Sequence, residues 1–248
     1  MANTVVIDCF PESVARYRTG YAVIAIDVVR ATTTAITAVA GGRRCFLVLS
    51  VEAAFDLAAK LDDPLLVGEQ GGVMPAGFDI NNSPAVLAVR SDVHRPAILL
   101  SSSGTRLCYQ ASRCEAAFLA CLRNYASIAD HLAGKFRNIA VIGAGTKGEF
   151  REEDQMCCAW VADALVARGY RPKDQGTIDI IEKWRGARTD RWIGGKSAAY
   201  LRRSGQIEDL DFILAHVDDL QSLFLLRNGE VIMQAPARTS GKELENVA

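Results

Sequence analysis

The sequence predicts an α/β protein: a layered α/β/α arrangement with a mixed or mostly parallel sheet and an active-site crevice at the strand ends. Three observations carry this prediction. Short apolar runs, such as 21–26, 97–100 and 138–142, alternate with helix-length segments, which is the rhythm of a sheet covered by helices. The runs are apolar throughout instead of alternating, as in strands buried on both faces. Several lead directly into Asp, Glu, Ser, Thr or Gly, residue types that suit a ligand site at the carboxyl edge of an open sheet.

With 248 residues, the chain can bury a sizeable core, as one α/β domain over residues 1–236 or as two joined lobes. A polar tail follows at 237–248. The 28 basic and 29 acidic residues leave a net charge of −1, so no basic field argues for nucleic acid. The N-terminus lacks the pattern of a signal peptide, and no apolar run is long enough to span a bilayer. The expectation is a cytoplasmic protein with neither a membrane nor a nucleic-acid partner; homo-oligomers are compatible with the sequence. Seven cysteines include no C-x-x-C pair and read as reduced, buried thiols. His94, His131 and His216 are too scattered to suggest a zinc site.

Taken in order, residues 5–8 form a short edge strand. Residues 21–26 form a buried strand ending at Asp27, and a helix over 32–40 is closed by Gly41-Gly42. Thr32, Thr33 and Thr34 occupy its first turn, where hydroxyls and free N–H groups converge on an anion site. A carboxylate beside bound anion calls for a cation, and Mg²⁺ is the natural candidate. Helix capping by Asp27 and Thr32 explains the same residues equally well.

A strand at 45–49 and a helix at 51–61 precede a strand at 65–67, which ends in Gly68-Glu69-Gln70-Gly71-Gly72. Glu69 thus repeats the setting of Asp27. Ser83 and Pro84 fit the N-cap and first position of a helix, while Asn81 and Asn82 offer amide donors. Strand 97–100 opens into Ser101-Ser102-Ser103-Gly104-Thr105-Arg106, a second anion cradle without the Walker pattern. A strand at 115–122 leads to Arg123-Asn124 and a helix ended by Gly134.

Residues 143–148 spell G-x-G-x-x-G after strand 138–142. Their late position, a charged turn and the lack of a ribose-binding acid argue against a dinucleotide loop. The next helix reaches residue 168, with Asp154, Cys157, Cys158, Val161 and Leu165 on its buried stripe; Glu152 and partly Glu153 serve its dipole. Helical stretches follow at 177–184, 197–203 and 209–216, with a solvated basic link at 185–191. Residues 222–234 form a hairpin turning at Arg227-Asn228-Gly229-Glu230, placed as a second lobe or subunit contact.

The run Ile26-Asp27-Val28-Val29-Arg30-Ala31-Thr32-Thr33-Thr34, then Gly68-Glu69, Gly77-Phe78-Asp79-Ile80-Asn81-Asn82-Ser83-Pro84, Ser103-Gly104-Thr105, Asn124, and Glu153-Asp154 with Cys158-Ala159 resembles the 2-phosphosulfolactate phosphatase family. The resemblance implies a Mg²⁺-dependent hydrolase that converts 2-phospho-3-sulfolactate to 3-sulfolactate and phosphate, a step of coenzyme M synthesis. Carried onto this chain, it makes Asp27, Arg30, Glu69 and Asp154 catalytic. Asp27, Glu69 and Asp154 would converge on Mg²⁺, and Thr32, Thr33, Thr34, Asn82, Ser83, Ser102, Ser103, Gly104, Thr105 and Asn124 would contact a small phosphorylated hydroxy acid. Gln70 stands where the family has arginine, Ser103 where it has asparagine, and Trp160 where it has a small residue. Other readings are a phosphatase for a different 2-hydroxy-acid phosphate and a catalytically silent anion-binding homologue.

Overall fold

The structure is a computed structural model, and it describes residues 2–235. The tail expected at 237–248 lies outside them. β1 (Thr4–Cys9) leads through a 3-10 helix, Pro11–Tyr17, to β2 (Ala22–Ile26) and α1 (Ala31–Ala40). β3 (Cys45–Val48), α2 (Val51–Ala58) and β4 (Leu65–Gly68) follow. Then come α3 (Pro84–Ala88), β5 (Ala97–Leu100), α4 (Gly104–Ala111), β6 (Ala116–Ala120) and α5 (Tyr125–Leu132). β7 (Asn138–Gly143) precedes α6 (Glu152–Ala167), the two-residue β8 (Arg171–Pro172) and α7 (Gln175–Trp184). The described chain closes with α8 (Lys196–Arg203), α9 (Ile207–Ala215), β9 (Leu223–Arg227) and β10 (Glu230–Gln234).

Among the described residues these strands form one ten-stranded sheet in the order β4-β5-β3-β10-β9-β6-β2-β7-β1-β8. The ladders β4/β5/β3 and β6/β2/β7/β1/β8 are parallel internally. The β9–β10 hairpin lies between them, antiparallel to both neighbours. It is therefore the centre of the sheet rather than a second lobe or subunit contact: Phe224 and Leu226 point into the same core as Val23 and Ala25. Its turn is as expected, with both Asn228 and Gly229 at positive φ, the conformation that matches hairpin twist. β1 also departs from expectation, because β8 covers the edge that it was to form.

Alternation along the buried strands separates two helical layers. Ile24, Ile26, Ile139 and Val141 pack with α5 and α6 residues such as Ile128, Cys157 and Val161. Their neighbours Val23, Ala25, Ala140 and Ile142 pack with Ile36 of α1 and Leu107 of α4. Apolar residues at both parities explain why the sequence shows no alternation. A smaller cluster, including Leu66, Phe78 and Ile98, packs beneath α2. Among the described residues no helix is long and apolar enough to cross a membrane.

The antiparallel hairpin reverses strand direction between the two parallel groups. Along the ladder their carboxyl ends therefore start on opposite edges. Five strand-to-strand steps separate β5 from β2, and the usual twist of roughly 20–25° per step would turn one group about 100–125° relative to the other. The N-terminus of α4, which follows β5, meets the end of β2: a Cβ on Gly104 would overlap the Asp27 carboxylate and the Ala31 methyl.

Candidate active site

Asp27 follows the last residue of β2 and is buried. Its Oδ1 accepts the Ala31 N–H at 3.3 Å, so it does cap α1; among the described residues no N–H or O–H group donates to Oδ2. Burial pushes its pKa up to about 7, opposed by the Ala31 N–H and reinforced by the charges of Glu69 and Glu153. Glu69 follows β4 and is encircled by donors: Ser102 N–H at 2.7 Å on Oε1, with Gly72 N–H at 2.7 Å and the Ser102 hydroxyl at 2.9 Å on Oε2. Asp154 accepts from Val28 N–H at 2.8 Å and Gly145 N–H at 3.3 Å, which locks the start of α6 to the end of β2. Burial, then the charges of Asp27 and Glu153, raise its pKa well above the ordinary carboxylate value.

Of the two readings of the first-turn hydroxyls, capping is the one that the Thr32 contacts follow. Thr32 Oγ1 caps its own turn through Asp27 N–H and C=O, both at 2.9 Å, and Thr33 donates to Val28 C=O at 2.8 Å. The Thr34 hydroxyl is buried and, among the described residues, has no partner. Thr32 and Thr33 thus fasten the β2–α1 turn instead of converging with Thr34 on one anion. In the second cradle Thr105 bonds back to Ser101 C=O at 2.7 Å, and Ser102 is committed to Glu69; Ser103 and Gly104 open α4. Asn124 is likewise absorbed by its own turn, accepting from Cys121 N–H at 2.9 Å and donating to Leu119 C=O at 3.2 Å. Ser83 does cap α3, accepting Val86 N–H at 3.2 Å. Asn82 is buried beside it, and among the described residues its side-chain oxygen has no partner.

Among the described residues no three of His, Cys, Asp and Glu stand together as a ready metal-ligand set. Asp27, Glu69 and Asp154 therefore share a region without meeting around one point. Their chemistry still fits a hard cation. Asp27, Glu69, Glu153 and Asp154 are all buried, yet among the described residues none forms an ion pair; the nearby Arg30 is matched by Asp209 at 2.6 Å. Buried carboxylates without a counter-charge favour a bound cation or protonation. A water-rich ion such as Mg²⁺ needs only one or two carboxylates from the protein, the rest of its shell coming from water and phosphate.

The family model described as 2-phosphosulpholactate phosphatase matches residues 9–229. The chain belongs to that family of phosphoric monoester hydrolases. Its similarity to a probable 2-phosphosulfolactate phosphatase of Deinococcus radiodurans is 34% identity over 185 residues, covering 73% of this chain and 74% of the relative. A protein of the same description in Symbiobacterium thermophilum is 29% identical over 221 residues, covering 86% and 94%. One in Clostridium perfringens is 30% identical over 230 residues, covering 86% and 88%.

The structure also brings residues that no local pattern marked to the loops around these acids. Glu153, read as partly a dipole acid, is buried; burial raises its pKa against a hydrogen bond from Ser197. Tyr200 donates to Gly72 C=O at 2.5 Å, and Lys196 reaches Glu149 at 2.5 Å. The α8–α9 segment thereby ties together the loops after β4 and β7. Its contribution was invisible because helix patterning tells which face is buried, not against what.

Proposed function

We propose that the chain hydrolyses 2-phospho-3-sulfolactate to 3-sulfolactate and phosphate with the help of Mg²⁺. The observation that carries the chemistry is a set of buried carboxylates, without ion-pair partners among the described residues, of which Asp27 lies against Gly104 at the N-terminus of α4. Asp27, with an oxygen to spare, is the principal residue to hold the ion, and Glu69 and Asp154 add charge from within their hydrogen bonds. Mg²⁺ so bound supplies neutralisation of phosphoryl oxygens and a more acidic water.

The chain's own groups do the rest. The Gly104 and Thr105 amides, free at the first turn of α4, receive phosphoryl oxygens. Arg30 offers a fixed positive charge as the ester bond breaks. Water is the nucleophile. A cysteinyl intermediate is disfavoured because burial pushes all seven thiols up, Cys9, Cys45 and Cys121 to about 12, 12 and 11, away from the thiolate.

A cavity of about 340 Å³ beside Glu69 is lined by Gln70, Ser102, Arg106 and Gln110. Gln70 is neutral there, and Arg106 is engaged by Glu12 at 2.7 Å, which favours a second reading, the phosphate ester of a different 2-hydroxy acid. Phosphate release from phosphosulfolactate and phospholactate, measured side by side with chelator and with Mg²⁺ restored, decides between them. Release that chelation leaves untouched sinks the Mg²⁺ assignment, and no release from either ester favours a silent homologue. Asp27→Asn should lose roughly a thousandfold in rate, about 4 kcal/mol of barrier; near-parental turnover removes Asp27 from the site.

A further inference from the structure

Arg30 and Asp209 form an ion pair in which the side chains are only 3% and 2% exposed. Asp209 sits on α9, 179 residues along the chain from Arg30. Its second oxygen accepts the Ser83 hydroxyl at 2.5 Å and the Ala85 N–H at 3.2 Å. One carboxylate therefore grips both the guanidinium at the head of α1 and the cap of α3. Gln206 accepts from the same Arg30 nitrogen, and Asn81 from the other at 3.4 Å.

Burying two charges is a poor way merely to fasten helices. The desolvation cost offsets most of the attraction, and an apolar pair of similar volume is often as stable or more so. What the arrangement does provide is a guanidinium held in place with donors left over. Among the described residues Arg30 Nε–H has no protein partner, and its charge is felt by Asp27.

We propose that Asp209 is a positioning residue that holds Arg30 with its spare donors preorganised for a substrate oxyanion. This rests on the phosphatase reading above, but it is tested by binding as well as by turnover. Asp209→Asn keeps the shape and removes the charge; Arg30→Met removes the guanidinium. The folded fraction of each, and of the double variant, is established by circular dichroism and thermal melting. Inorganic phosphate binding with Mg²⁺ is then followed by calorimetry alongside kcat and KM.

Asp209→Asn should weaken phosphate binding and kcat/KM at least about tenfold in folded protein, and the double variant should be no worse than Arg30→Met. Gln206→Ala, which strands no buried charge, should give a smaller loss of the same kind and keeps the question open to experiment if Asp209→Asn does not fold. Parental phosphate affinity and KM in folded Asp209→Asn or Gln206→Ala, or losses that add in the double variant, overturn the proposal. A parent that binds phosphate but hydrolyses no ester defeats the phosphatase reading instead, and leaves the binding comparison to decide the role of Asp209.

Discussion

At the scale of single residues, the site depends on how closely α4 approaches Asp27. Gly104 has an ordinary helical backbone, so its smallness, not its flexibility, is what the position uses. Gly104→Ala places a methyl against the Asp27 carboxylate and the Ala31 methyl. Overpacking of this kind costs roughly 1–3 kcal/mol, and here it also displaces the acid. The expected outcome is a melting temperature lowered by several degrees and a kcat/KM reduced by about a hundredfold or more; a variant with parental kcat/KM would show that Asp27 does not need this contact. Much of the residue-level pattern was legible in sequence. Asp27 and Glu69 at strand ends and Ser83 as an N-cap are consequences of where an apolar run stops. Sequence left the choice between capping and ligand binding open for Thr32 and its neighbours, because a hydroxyl near a helix start can serve its own backbone or a ligand with the same spacing.

At the scale of elements, the hairpin is the departure with the largest consequence. Its turn and strands were readable from Asn228-Gly229 and the flanking apolar runs, but its neighbours were not, since pairing partners lie far away in sequence. Phe224 is fully buried where the hairpin joins the two parallel groups. Phe224→Ala should lower unfolding free energy by about 3–5 kcal/mol, read from urea midpoints at a fixed m-value. A loss below about 1 kcal/mol would mean that the hairpin is peripheral to the core. α6 shows the complementary case: its sequence marks an inward stripe headed by Asp154, and the structure buries Glu153 as well. One helix cannot disclose how many sides its neighbours cover.

At the scale of the whole molecule, concentrated buried negative charge sets a pH dependence. Asp27 sits at about 7 in the fold, against roughly 4 in an unfolded chain. Asp154 and Glu153 are shifted in the same direction. The folded state thus binds more protons than the unfolded state across that window, and stability falls as pH rises from about 4 to 7. Asp92, held low by Arg90 and Arg43, contributes the opposite slope only below the ordinary carboxylate range. In chelator, the unfolding free energy from urea titration should be lower at pH 8 than at pH 5, by an amount on the order of a few kcal/mol. Mg²⁺ at pH 8 should recover much of the loss, and Asp27→Asn should flatten the profile. A chelated protein equally stable at both values, or indifferent to Mg²⁺, would contradict this electrostatic account.

Local patterning determined the α/β class, most strand and helix positions, the acids at the strand ends and the family likeness, because each depends on residues close together in the chain. Tertiary structure alone decided that a C-terminal hairpin joins two parallel groups, that the start of α4 after β5 meets Asp27, and that Asp209 takes hold of Arg30. Those outcomes come from long-range pairing and from the need to compensate buried charge, neither of which leaves a periodic signal in sequence.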